Sequence, residues 1–210
     1  MYPLKSPAPD NMPLLFFQHF WPTIGSVVTK IVLDFLNLGT IPPKFIETHI
    51  VLVTKNKDPK HITNYRPISL CNVIYKLASK VLANRLKKVL PKIISDTQSA
   101  FVHRRLITDK VLVTFKTMHH INSRGVGGIG EMALKLDISK AYDQVKWICL
   151  DKIMEKLGFN SRWRGLMMQC ISSVSYFVRI NGKPKGNSIP SRGLRQRDPL
   201  SPFFKKKICA

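Results

Sequence analysis

Residues Met132 to Trp147 read MALKLDISKAYDQVKW. Leu134 and Leu136 alternate with Lys135 as the residues of a half-buried strand do, and the alternation stops at Asp137. From Ala141 onward the apolar spacing is helical, which predicts a helix to Leu157 closed by Gly158. An acid therefore stands where a strand ends and a loop begins. Carboxylates in that position serve divalent metals well, because rigid backbone fixes their direction. Asp143 lies one loop away, beyond Tyr142. The alternatives are a surface turn acid at Asp137 and a helix N-cap at Asp143.

The composition of the surrounding chain narrows the choice. Its 210 residues are 44% hydrophobic, enough to build the core of one ordinary domain. Thirty-four Lys and Arg face twelve Asp and Glu, a net charge of +22. Residues 1–43 are neutral, whereas residues 44–130 carry sixteen basic and four acidic side chains and residues 131–210 sixteen and six. Such an excess repels itself in the compact state and is best explained by a polyanionic partner, nucleic acid before an anionic membrane. The apolar run from Ile24 to Leu38 is broken by Lys30 and Asp34, so no spanning helix is expected. Cys71, Cys149, Cys170 and Cys209 lack paired spacing, and the N-terminus lacks the layout of a signal peptide. The expectation is an intracellular protein, nuclear or cytoplasmic, with reduced thiols and no zinc site.

In chain order, residues 1–13 read as a proline-rich loop, followed by two helices that divide near Trp21-Pro22 and stop at Gly39. THIVLV (Thr48 to Val53) and Tyr65 to Leu70 read as two strands joined by the basic turn KNKDPKHITN. Lys55, Lys57 and Lys60 tip this hairpin, and Arg66 begins its return strand. Mobile lysines beside a planar guanidinium suit a triphosphate, although a solvated charged turn reads the same way. An amphipathic helix is expected from Asn72 to about Leu90, ended by Pro91. A loop with a short strand fills residues 92–106, Ile107 to Ile121 is helical, and Gly125 to Gly130 connects to the central stretch. Arg162 to about Ser173 reads as another helix. Val174 to Asn181 reads as a strand that turns at Gly182 into a polar stretch ending at Gly193. No glycine-rich phosphate loop of the Rossmann or P-loop kind occurs.

Taken together these segments resemble one family, the reverse transcriptase domain of non-LTR (LINE-type) retrotransposons, most closely its plant members. DISKAYD (Asp137 to Asp143) resembles the first catalytic motif of the palm, and YRPISL (Tyr65 to Leu70) a motif of the fingers. SDTQSAFVHRRLITDKVL (Ser95 to Leu112) resembles the next fingers block, and SRGLRQRDPLSP (Ser191 to Pro202) the nucleotide-pocket motif usually read as RQGDPLSP. KSPAPDNMP near the start is similar to a family segment with glycines where Ala8 and Asn11 stand. Five motifs in family order and spacing cover nearly the whole chain.

The resemblance implies an α+β fold, the fingers and part of the palm of a right-hand polymerase, with the thumb absent. It divides the chain into an N-terminal loop and helical segment (1–43), a fingers-like region (44–130) and a partial palm (131–210). It implies copying of an RNA template onto a DNA primer from deoxynucleoside triphosphates, with two Mg2+ ions. By motif position Asp137 would be the catalytic metal ligand and the Ile138 carbonyl a second one. Tyr142 would lie under the incoming sugar and exclude a 2′-hydroxyl. Arg66 with Lys55 or Lys57 would hold the triphosphate, and Gln196 would line the nucleotide pocket. Arg197 stands where the family carries glycine, a residue that lets backbone approach a ligand closely. The tail FFKKKICA departs from the apolar helix of the family, and the family's paired aspartates lie downstream of the RQGDPLSP block. The reading is thus of a retrotransposon reverse transcriptase fragment, truncated before the paired aspartates and inactive as these 210 residues. The alternatives are a non-catalytic basic nucleic-acid-binding module and a degenerate remnant without function.

Overall fold

The computed structural model describes residues 9–93, 95, 106–123, 132–134 and 142–208. It opens with α1 (Leu14–His19) and α2 (Trp21–Leu38), divided where Pro22 takes the first turn of α2, a place that needs no backbone N–H. Gly39 closes α2 in the left-handed region at φ 80°, its N–H donating to Phe35 O. A single turn, α3 (Pro43–Ile46), leads into β1 (Glu47–Thr54), which pairs antiparallel with β2 (Tyr65–Cys71) through the basic loop between them. The long helix α4 (Val73–Ile93) follows, then α5 (Ile107–Ser123). Helices α6 (Trp147–Lys156) and α7 (Ser161–Ser172) lead to the hairpin of β3 (Ser175–Ile180) and β4 (Lys183–Ser188), and α8 (Ser201–Ile208) comes last.

The four strands form one mixed sheet in the order β2-β1-β3-β4. β1 lies parallel to β3 with Thr48 opposite Tyr176 and Ile50 opposite Val178, so residues more than 120 positions apart share one surface. Strand alternation puts Thr48, Ile50, Tyr176, Val178, Ser69 and Cys71 on one face. The inner end of that face is covered: Thr48 is fully buried and Cys71 nearly so. The main core joins α2, α4, α6 and α7 to it, while a smaller cluster of Phe17, Val28 and Val73 seats α1. Phe35 and Leu36 of α2 meet Ala78, Leu82, Leu86 and Leu90 of α4, Leu150 and Met154 of α6, and Leu166 and Met167 of α7. Each of the Phe, Leu and Met side chains contributes about 1.5–3 kcal/mol by leaving water, Ala78 less. Arg164 of α7 pairs with Asp151 at 3.1 Å and Glu155 at 2.9 Å, tying α7 to α6.

Several expectations need correction. The helix expected from Ala141 begins only at Trp147, because Tyr142 and Asp143 lie in a turn and the Tyr142 carbonyl accepts from Leu194 N. Asp143 is therefore no helix cap; Lys146 occupies the N-cap position of α6 and makes no side-chain cap bond. Of the strand expected to end at Asp137, residues 132–134 are irregular, with Met132 and Leu134 exposed. Asp137 and Ile138 lie outside the described residues, as does nearly all of the short strand expected in 92–106. Pro91 sits inside the last turn of α4 instead of ending it, since a missing N–H near a helix end costs one bond only. The polar stretch after Gly182 contains β4, unforeseen because KPKGNS has little strand propensity. The segment before α1 is anchored: Asp10 accepts from Met12 N at 3.1 Å and from the Asn72 side chain at 2.7 Å, at the start of α4.

Among the described residues no helix is long and apolar enough to cross a membrane, and Cys71, Cys149 and Cys170 are free.

Candidate functional site

The loop between β4 and α8 carries residues 191–200 back across the sheet and fastens to the turn that precedes α6. Leu194 N donates to Tyr142 O at 2.7 Å and Gly193 N to Val145 O at 2.8 Å. The Trp147 indole donates to Gly193 O at 2.8 Å. Gly193 has φ 95°, and a Cβ there would stand 3.3 Å from Tyr142 O and 3.4 Å from the Asp143 Cα. The positive φ favours glycine, and the close approach leaves little room for a Cβ.

Where the loop passes over the sheet it encloses a cavity of about 150 Å³. Ile50 of β1, Pro67 and Ser69 of β2 and Tyr176 of β3 form its floor; Asp143 and the segment from Arg192 to Gln196 form its walls. Whole-ligand sites usually measure about 300–1,000 Å³, so this one fits a single moiety of a larger ligand. A larger cleft of about 680 Å³ lies between α6 and α7, but of the motif residues only Trp147 and its neighbours reach it. The chemistry favours the smaller cavity. Burial pushes the Tyr176 phenol up to about 12 and raises that of Tyr142, so both stay neutral donors at physiological pH.

Behind the loop lies a buried polar cluster that motif reading missed. Arg195 is almost fully enclosed, its guanidinium 3.9 Å over the Tyr75 ring of α4. It donates to Thr48 Oγ1 at 3.2 Å and to Cys170 O, and pairs with the buried Asp198 at 3.7 Å. The Tyr75 hydroxyl donates to Asp198 Oδ2 and lies 3.1 Å from Cys170 O. The other Asp198 oxygen accepts from Leu200 N at 2.8 Å. Burial works against the Arg195 charge, but Tyr75, Cys71 and Asp198 outweigh it and its pKa moves up. Burial likewise raises the Cys170 and Cys71 thiols, which excludes them as thiolates at neutral pH. The available signal was two opposite charges three residues apart within the apolar frame of Leu194 and Leu200.

Asp143 and Gln196 line the cavity, whereas Tyr142 is half-buried against the core and contributes its carbonyl to the loop. Lys55, Lys57 and Arg66 are exposed at the tip of the β1–β2 hairpin and do not line the cavity. Arg66 stands opposite Val53, and Lys55 Nζ donates to Thr63 O at 2.7 Å within the hairpin loop. Arg197 is exposed at φ 69°, left-handed backbone that favours glycine. Among the described residues no three His, Cys, Asp or Glu come together as a metal would require. Asp143 alone is no substitute, so the described residues by themselves do not fit a two-magnesium site.

Comparison with known proteins shows the family. The family described as "Reverse transcriptase (RNA-dependent DNA polymerase)" matches residues 54–208. The chain is 31% identical over 197 residues to the "Transposon TX1 uncharacterized 149 kDa protein" of Xenopus laevis, covering 94% of this chain and 15% of that protein. It is 25% identical over 167 residues to the "Retrovirus-related Pol polyprotein from type-1 retrotransposable element R2" of Popillia japonica, covering 79% and 23%. It is also 25% identical over 181 residues to the "Probable RNA-directed DNA polymerase from transposon BS" of Drosophila melanogaster, covering 80% and 18%. The chain thus spans less than a quarter of the length of these relatives. Over the share that it does span, it belongs to the reverse transcriptase (RNA-dependent DNA polymerase) family and is a reverse transcriptase domain of a non-LTR retrotransposon.

Proposed function

We propose that these residues form the fingers and the beginning of the palm of an RNA-directed DNA polymerase, and that the cavity under the 191–200 loop receives part of the incoming deoxynucleoside triphosphate. The supporting observation is that the end of one motif, at Asp143, and the middle of another, at Gln196, border one cavity, and that the two segments are fastened by the backbone hydrogen bond from Leu194 N to Tyr142 O. Gln196, with both a donor and an acceptor, suits recognition of a nucleotide's polar edge. Tyr142 keeps its proposed place near the sugar. The triphosphate extends beyond so small a cavity, and the hairpin cations Lys55, Lys57 and Arg66 are the proposed contacts for it. Asp137 and the Ile138 carbonyl are the proposed Mg2+ ligands by motif position. The basic surface serves the RNA template and DNA primer.

The test is titration of the purified chain with a fluorescent deoxynucleoside triphosphate in the presence of Mg2+. Gln196→Ala should weaken binding by about tenfold, the size of one lost hydrogen bond in a desolvated site, while the exposed Lys183→Ala leaves it within about twofold. Equal affinity of the unmodified chain and Gln196→Ala would remove the nucleotide from this cavity.

A further inference from the structure

Residues 195–198 form a tight turn with an unusual distribution of burial. Its two ends, Arg195 and Asp198, are each 4% exposed, while Gln196 is half-buried and Arg197 exposed at the tip. The ends pair with each other at 3.7 Å, and both are held by the same phenol: Tyr75 lies under the Arg195 guanidinium and donates to Asp198. Among the described residues no hydrogen bond holds the Gln196 side chain, so its aim into the cavity is set by its backbone. That backbone is in turn set by the buried ends.

We propose that Arg195, Asp198 and Tyr75 act as a clip that presents Gln196 to the ligand, which makes Tyr75 a positioning residue for the nucleotide although it belongs to α4, 123 positions before Asp198. The proposal rests on the nucleotide reading of the cavity. A buried ion pair adds little net stability compared with apolar packing of the same volume, and it is costly to break. It gives direction, because the guanidinium fork, the carboxylate and the phenol each accept few geometries. Thr48 Oγ1 and Cys170 O complete the guanidinium's contacts, so the clip also ties the turn to β1 and the end of α7. The left-handed φ of 69° at Arg197 fits a turn whose ends are held this firmly, since a non-glycine residue takes that conformation only when its surroundings impose it.

The test is a double-mutant cycle with Tyr75→Phe, which removes the hydroxyl and keeps the ring beneath Arg195, and Gln196→Ala. Titration with a fluorescent deoxynucleoside triphosphate is combined with amide exchange at Leu194, Gln196 and Arg197. Tyr75→Phe alone should weaken binding by about three- to tenfold and speed exchange at these amides. In the Gln196→Ala background it should cost less than about twofold more, because its effect passes through Gln196. Equal costs in the two backgrounds, or unchanged affinity while Gln196→Ala weakens binding, overturns the clip as a positioning device. If neither the unmodified chain nor Gln196→Ala binds nucleotide, the cavity reading fails and the nucleotide role with it. Faster exchange in Tyr75→Phe then supports the clip alone, and unchanged exchange removes that too. Should Tyr75→Phe lose its helical circular dichroism, Asp198→Asn takes its place in the cycle under the same criteria.

Discussion

Arg197→Gly tests whether the turn at 195–198 has the shape described. Arg197 has φ 69°, and left-handed backbone costs a residue with a Cβ about 1–2 kcal/mol. Glycine removes that strain but gains freedom in the unfolded chain, worth roughly 0.5–1 kcal/mol in the opposite direction. The side chain itself is exposed, and among the described residues it forms no ion pair, so little contact is lost. The net expectation is stabilisation by about 0.5–1 kcal/mol, which for a chain of this size raises the melting temperature by about 1–4 °C. Arg197→Ala keeps the Cβ and should stay within about 0.5 kcal/mol of the parent. Arg197→Val, branched at Cβ, should fall below it. Arg192→Gly supplies the control: Arg192 is exposed in the same loop without a positive φ, so glycine there should cost about 0.5–1 kcal/mol. Thermal unfolding followed by circular dichroism at 222 nm gives the order. If Arg197→Gly melts at or below Arg197→Ala, the turn does not hold Arg197 left-handed and the reasoning fails.

Gly193→Ala should cost about 1–3 kcal/mol in urea unfolding, because its φ of 95° and the Tyr142 carbonyl 3.3 Å away both oppose a Cβ. Gly165→Ala, inside α7 with open space around it, should instead gain about 0.5–1 kcal/mol, and equal effects at the two glycines would contradict the geometry of the loop. Stability should fall as pH rises from about 10 to 12: burial holds the folded-state pKa of Tyr176 at about 12 and that of Tyr75 well above 10, so the stabilisation present below the unfolded value of about 10 is lost on the way up. Urea midpoints at pH 8 and pH 11, with absorbance at 295 nm, read this directly; equal midpoints with all five tyrosines ionising together near pH 10 would refute it. An RNA–DNA hybrid should bind with a log–log salt slope of about −3 or steeper, as expected for four or more phosphates neutralised by a chain of net charge +22, and a slope near zero would show that the charge does not serve a polyanion.

What the sequence made legible was what local physics decides. The β-branched run THIVLV and its polar turn form a hairpin almost anywhere, and the observed β1 and β2 match it within two residues at each end. Gly39 stops α2 for a reason visible in one residue. The β3–β4 hairpin was half legible: Asn181 and Gly182 both have positive φ, the two-residue turn that Asn-Gly favours, yet the strand after it, KPKGNS, is carried by that turn and by β3 instead of its own propensity. The start of α6 was lost for the opposite reason. Helical spacing from Ala141 is real, but the Tyr142 carbonyl that a helix would use four residues later is taken by Leu194 N. The buried cluster was invisible because Arg195 and Asp198 are ordinary surface residues until Tyr75, Thr48 and Cys170 arrive from three other elements.

Two departures from the family pattern connect these observations. Asn11 and Arg197 both stand where the resemblance places glycine, and both have left-handed backbone, at φ 55° and 69°. The left-handed turn shape is thus held here by residues other than glycine. At Asn11 the neighbouring Asp10 is bonded to Met12 N and to Asn72, and at Arg197 the neighbours on either side lead into the pair of Arg195 and Asp198. In each case buried or bonded neighbours hold the turn and the central residue adapts to it. Asparagine does so at small cost, because its short polar side chain tolerates the left-handed region. Arginine does not, and strain in the loop is consequently concentrated at Arg197, next to the side chain that enters the cavity.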